Sequence, residues 1–152
     1  MNPQQIKALD EKITSIASHS DRDLRRGSWR IAKNLRTSFF YAFQGIAYAF
    51  VSQRNFRIQI ALGIFAFSLG AWLELSLEKL AIVVFTIALV LILELINTAI
   101  EAVVDLAIGR RFHPLARIAK DCAAGAVVIA AIGSLLVALI LLLPPFLTRL
   151  GI

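Results

Sequence analysis

A single cysteine, Cys122, in 152 residues excludes an intramolecular disulfide framework and cannot form a metal cluster by itself. Histidine is nearly as scarce: His19 and His113 stand isolated, which argues against a zinc site. No G-x-x-x-x-G-K-[ST] loop and no protein-kinase signature occurs, so the chain is neither a P-loop protein nor a protein kinase. The first 28 residues, MNPQQIKALDEKITSIASHSDRDLRRGS, contain no apolar core of the signal-peptide kind. Any membrane insertion is therefore expected to use internal segments. Acidic residues are few, 10 against 16 Lys and Arg, for a net charge of +6.

What the chain has instead is apolar residues, 59% of it, with a mean hydropathy of +0.76. That is too apolar for a soluble domain of this length and implies one integral membrane domain, all-α in class. A basic protein can be a nucleic-acid binder, but here ten of the cations precede Ile58, directly beside the apolar part. A membrane surface suits that placement better, and no nucleic-acid partner is expected.

Residues 3–18 read as a short amphipathic helix, with Ile6, Leu9, Ile13 and Ile16 on one side, followed by the polar linker SHSDRDLRRGS. We take 1–28 as an N-terminal extension and 29–152 as the membrane domain. From Arg30 to Phe50 a second amphipathic pattern puts Ile31, Leu35, Phe39, Phe43, Ile46 and Phe50 on one face, with Arg30, Lys33 and Arg36 preceding the apolar half. Such a helix lies in the membrane interface or is buried in a bundle. Three spans are expected over 58–73, 80–108 and 122–143, the last stopped by Pro144 and Pro145. Four cations lie between the second and third spans, against Lys79 alone in the first turn and Arg149 at the end. By the positive-inside rule the N-terminus and the 109–121 loop are cytoplasmic.

The second span carries an unexpected line of polar residues. Within LELINTAIEAVVDLA, residues Glu94, Glu101 and Asp105 fall within about 40° of one another on a helix, flanked by Asn97 and Thr98. Counted from Leu80, Glu94 is about 21 Å along the helix and Glu101 about 32 Å, against a hydrocarbon core of about 30 Å. Glu94 is thus just below the cytoplasmic surface and Glu101 at it. A carboxylate at such depth costs about 2.5–3.5 kcal/mol, and Glu101 and Asp105 repel each other as an i,i+4 pair. A cation must sit beside them. Arg110, Arg111, Arg117 and Lys120 could supply it as plain ion pairs, a bound Mg²⁺ could supply it with phosphates, or the stripe could line an ion pathway.

ELINTAIEAVVD followed by HPLARIAKDCAAGAVVIAAI resembles the prokaryotic diacylglycerol kinase and undecaprenol kinase family, and SFFYAFQGIAYAFVSQRNFRIQI resembles its surface helix and the start of its first span. The resemblance covers about residues 36–146 and leaves 1–28 outside. It implies an integral membrane enzyme of three transmembrane helices plus an N-terminal amphipathic interfacial helix, a homotrimer in the bacterial cytoplasmic membrane. The implied reaction moves the γ-phosphate of ATP, with Mg²⁺, to the hydroxyl of a membrane lipid. By that resemblance Glu94 is the general base, Glu101 and Gln53 bind metal, and Tyr41, His113, Lys120 and Asp121 lie at the nucleotide. Asn97 supports metal or phosphate, and Asp105 matches a family carboxylate. Diacylglycerol and undecaprenol are the two acceptors; HPLARIAKD and SFFYAF look nearer the undecaprenol branch.

This sequence departs from the family pattern twice. Gln53 stands where a second metal-binding glutamate is usual, and Arg111 where an acidic residue is frequent. The alternative is a non-catalytic membrane protein that uses the stripe for ion passage or partner binding, and Gln53 is the feature that keeps it open. Ala126, Ala130 and Ser134, with Gly125 and Gly133, form a small-residue face on the third span, suited to close helix approach.

Overall fold

The computed structural model describes residues 35–109 and 111–151. The extension 1–28, the helix expected over 3–18, the start of the amphipathic pattern at Arg30 and the loop residue Arg110 lie outside them. Every regular element among the described residues is helical: α1 Leu35–Ser52, α2 Arg54–Trp72, α3 Leu77–Ile108 and α4 Pro114–Arg149. Two compact units divide between Gln44 and Gly45. The first holds the N-terminal half of α1; the second holds its C-terminal half and the other three helices.

The apolar face expected of α1 is present and, among the described residues, exposed: Leu35, Phe39, Phe43, Ile46 and Phe50 are open and Ala49 is buried. Gln53 ends α1 and caps α2 in extended conformation, and its side chain makes no capping bond. Arg57 Nη1 instead donates to the Phe50 and Val51 carbonyls at 2.9 Å each, satisfying two orphan acceptors at the end of α1.

In the second unit α3 packs along α4 and α2, and two of these helices, α3 and α4, are long and apolar enough to cross a membrane. The 19-residue α2 is shorter, and its first turns carry Arg54, Asn55, Arg57 and Gln59, so the apolar stretch begins only at Ile58. It ends in a Schellman motif, with Leu75 N–H on the Gly70 carbonyl and Glu74 N–H on that of Ala71, both at 3.1 Å. Glu74 accordingly sits at φ 55°. The turn folds Leu73 and Leu75 inward onto Leu142, with Leu69, Leu80 and Phe146 around them.

Two sequence expectations about the last helix need correction. It starts at Pro114, two turns before residue 122, so most of the expected 109–121 loop is helical. The cause is local. His113 is the N-cap, its Nδ1 accepting from Leu115 N–H at 3.2 Å, and Pro114 takes N1, where its missing N–H leaves nothing unpaired. The helix also runs through Pro144 and Pro145 instead of stopping there. Two prolines remove two backbone donors, but the turn beyond them is tied down elsewhere. Phe146 packs on the Leu73–Leu75–Leu142 cluster, and Thr148 Oγ1 donates to the Pro144 carbonyl at 3.0 Å. Arg149 Nη1 donates to the Trp72 carbonyl, with the guanidinium 4.4 Å from the Trp72 ring centroid.

Gly63 sets the approach of α2 to α3. A Cβ there would meet Ile87 Cγ2 at 2.7 Å, and Ile87 is β-branched and stiff in a helix. Gly63→Ala gains up to about 1 kcal/mol of helix propensity but overpacks at about 1–3 kcal/mol, so the clash outweighs the gain. The expected outcome is a lower unfolding midpoint in detergent micelles.

Candidate active site

The stripe is built on the C-terminal half of α3, and the helix buries it in a graded way. Glu94 is 3% exposed, and Asn97 and Thr98 are buried with it. Glu101 is half-buried and Asp105 exposed. Helical periodicity explains the alignment, and the packing of α2 and α4 on α3 explains the gradient, since their cover thins toward Ile108.

Glu94 is held from another helix. Gln59 Nε2 on α2 donates to Glu94 Oε2 at 3.1 Å. Thr98 does not touch the carboxylate; its hydroxyl donates to the Glu94 backbone carbonyl at 2.9 Å. The second carboxylate oxygen, Oε1, remains for a donor. A turn further on, Asn97 Nδ2 donates to Glu101 Oε1 at 3.2 Å, which aims the Asn97 carboxamide oxygen elsewhere. That Oδ1 is buried without a partner, as is Gln59 Oε1.

These oxygens bear on the metal expectation. Among the described residues no group of three or more His, Cys, Asp or Glu could hold a metal ion. The donors at hand are Glu101 and the orphaned Asn97 Oδ1, both hard oxygens on one helical face. Mg²⁺ is commonly held by one or two carboxylates with its other positions taken by water and phosphate, and this donor set fits that habit. Gln53, the other expected ligand, is half-exposed at the start of α2.

The cations that the stripe demands come from α4. Lys120 Nζ pairs with Asp105 Oδ1, and Arg117 Nε lies 3.5 Å from Asp121 Oδ2 one turn along the same helix. Between the ends of α3 and α4 lies a hollow of about 260 Å³ whose lining includes Phe112, His113, Arg117, Lys120 and Asp121. Thus His113, Lys120 and Asp121, assigned to the nucleotide by resemblance, do converge. Arg111 is exposed beside them. Tyr41 lies on α1 in the first compact unit, half-exposed, with its ring edge-on to Phe40.

Sequence reasoning missed Gln59. The signal was present, one amide between Ile58 and Ile60, but a lone polar residue near the start of a span reads as ordinary interface. Only the packing of α2 on α3 reveals that it touches Glu94.

A buried carboxylate, a neighbouring pair of oxygen donors and a hollow lined by Arg117 and Lys120 suit a site that handles phosphate with a hard cation, and suit an ion pathway as well. The family described as prokaryotic diacylglycerol kinase matches residues 40–142. The chain is 50% identical over 125 residues to a diacylglycerol kinase of Synechocystis sp., covering 82% of this chain and 71% of that one. It is 41% identical over 107 residues to the undecaprenol kinase of Bacillus subtilis, covering 70% and 86%. With the diacylglycerol kinase of Escherichia coli K12 it shares 34% identity over 102 residues, 67% and 83% of the two chains. The chain belongs to the prokaryotic diacylglycerol kinase family. It is a lipid kinase of the membrane, and the non-catalytic reading of the stripe gives way.

Proposed function

We infer that this protein transfers the γ-phosphate of MgATP to the hydroxyl of diacylglycerol, forming phosphatidic acid, on the cytoplasmic side of the bacterial inner membrane. The observation that carries the reading is Glu94: a carboxylate 3% exposed, one oxygen fixed by Gln59 and the other open, one helical turn deeper than the Asn97–Glu101 pair. A lipid hydroxyl just beneath the headgroups reaches that depth, whereas phosphates stay at the surface. Support for diacylglycerol comes from the 50% identical Synechocystis relative, which carries that name. Undecaprenol is the second reading, favoured by the 41% identical Bacillus relative.

Glu94 takes the proton of the acceptor hydroxyl, sharpening the oxygen as a nucleophile. Glu101 and Asn97 would hold Mg²⁺, which would supply positive charge to offset that of the phosphates. Lys120 neutralises phosphate oxygens in the hollow at the start of α4, and His113, with Nδ1 engaged as the N-cap, presents Nε2 there. Asp121, beside Lys120, completes the nucleotide contacts in the hollow. As in phosphoryl transfer generally, positioning and charge neutralisation dominate. The working unit is a homotrimer in which α2 forms a third span beside α3 and α4. Its support is the apolar surface left open, including Phe65, Ile129 and Ile140, and the small residues Gly125 and Gly133, whose faces meet nothing within the protomer.

Radiolabelled transfer from MgATP in mixed micelles, with diacylglycerol and undecaprenol offered separately, tests the reading. Labelled phosphatidic acid supports it; label in undecaprenol alone replaces the acceptor; no label in either lipid rejects it. Gln53→Glu adds a charged oxygen ligand where a neutral one stands. The half-saturating Mg²⁺ concentration is expected to fall severalfold in the same assay, with the MgATP-saturated rate little changed.

A further inference from the structure

Gln59 belongs to neither the nucleotide hollow nor the metal donors, yet it makes the one side-chain hydrogen bond shown to the Glu94 carboxylate. Its own Oε1 is buried and unpartnered. The orientation of the amide follows from chemistry: a carboxylate only accepts, so the NH₂ group turns toward it and the carbonyl turns away. No donor engages that carbonyl: Gln59 edges a largely apolar groove of about 310 Å³ lined by residues such as Gly63, Ala66, Val90 and Leu142, with Ser134 as its other polar side chain. Buried polar atoms are rarely left unpaired, and one beside a reacting group calls for an explanation.

We propose that Gln59 is a positioning residue that serves Glu94 in both of its protonation states. This rests on the reading of Glu94 as the base. Before transfer, Nε2 donates to the carboxylate, fixing Glu94 Oε2 and leaving Glu94 Oε1 to face the acceptor hydroxyl. As the lipid oxygen bonds to the γ-phosphorus and the bond from that phosphorus to the β-bridging oxygen breaks, the hydroxyl proton passes to Glu94. The carboxyl is now a donor that needs an acceptor. A half-turn of the carboxyl carries its protonated oxygen round to Gln59, and a half-turn of the Gln59 amide about its last side-chain bond brings the idle Gln59 Oε1 to accept from it. When the proton leaves to water or ADP, both groups turn back. An apolar side chain at 59 serves neither state, and a purely donating one serves only the first.

The test is Gln59→Met, which keeps the length and apolar fit of the side chain while removing both polar atoms, assayed with the full chain in mixed micelles. The expected result is a kcat about 10–100-fold lower with the KM for MgATP within twofold, and an unchanged unfolding midpoint. The infrared carboxylate stretch identified by its loss in Glu94→Gln is expected to shift in Gln59→Met. A structural role for Gln59 would lower the midpoint and leave that band in place. Should the Met variant fail to assemble, Gln59→Asn, an amide one methylene too short to reach, carries the same expectations. A normal kcat in either variant, or a loss confined to KM, overturns the proposal. Glu94→Gln run alongside separates the two ideas: if it is inactive while Gln59→Met is normal, positioning alone fails; if it is active, the base assignment fails first.

Discussion

Glu94→Gln is expected to reduce phosphate transfer by about 10³-fold or more while the protein still inserts, assembles and unfolds at its usual midpoint. General bases contribute about 10²–10⁴-fold, and a lipid alcohol is a poor nucleophile without one. The structure says why the loss falls on chemistry and not on folding. The Glu94 side chain makes no bond to Thr98, whose hydroxyl goes to the backbone carbonyl, so that contact survives. Gln59 Nε2 donates as readily to a carboxamide oxygen at position 94, so the helix contact with α2 survives too. Removing a buried charge also relieves a desolvation cost, which favours the variant's stability. The measurement is initial rate at saturating MgATP and lipid, with the melting curve as control. A rate within tenfold of the native one would show that Glu94 is not the base.

That expectation could be framed from the sequence because carboxylates in an apolar run are conspicuous, and a 100° periodicity is enough to align them. What periodicity cannot give is depth of burial, which depends on the helices packed around α3. The grading from Glu94 to Asp105 needed the structure, as did the partner of each residue. The late start assigned to the last helix came from reading Arg117, Lys120 and Asp121 as loop residues by polarity. The His113–Pro114 pair was a start signal that polarity obscured. Pro144 and Pro145 misled in the opposite direction, because local propensity yields where Phe146 and Arg149 anchor the following turn. Gln59 and Gly63 were invisible for one shared reason: each acts on another helix, through Glu94 or Ile87, and nothing in their own neighbourhood records it.

Lys120→Met is expected to lower kcat/KM for MgATP by about 10²-fold, equivalent to about 2.7 kcal/mol, with little change in thermal stability. The two readings of Lys120 part here. As a structural ion pair with Asp105 it is half-exposed, its partner's side chain is 60% exposed, and such pairs contribute about 0–1 kcal/mol. As a phosphate ligand it meets concentrated negative charge at the mouth of a hollow that already holds Asp121, where removing its ammonium is far more damaging. The partner mutation decides between them. If the pair were structural, Asp105→Asn would lower the midpoint and the rate as much as Lys120→Met. If Asp105 serves to keep Lys120 pointed at the hollow, Asp105→Asn leaves the midpoint alone and raises the KM for MgATP only a fewfold, because the ammonium remains available to the phosphates. The ordering of the two KM values, Lys120→Met well above Asp105→Asn, is the result the geometry requires. Equal effects on both proteins' melting would return the pair to the helix ends, as a tie between α3 and α4.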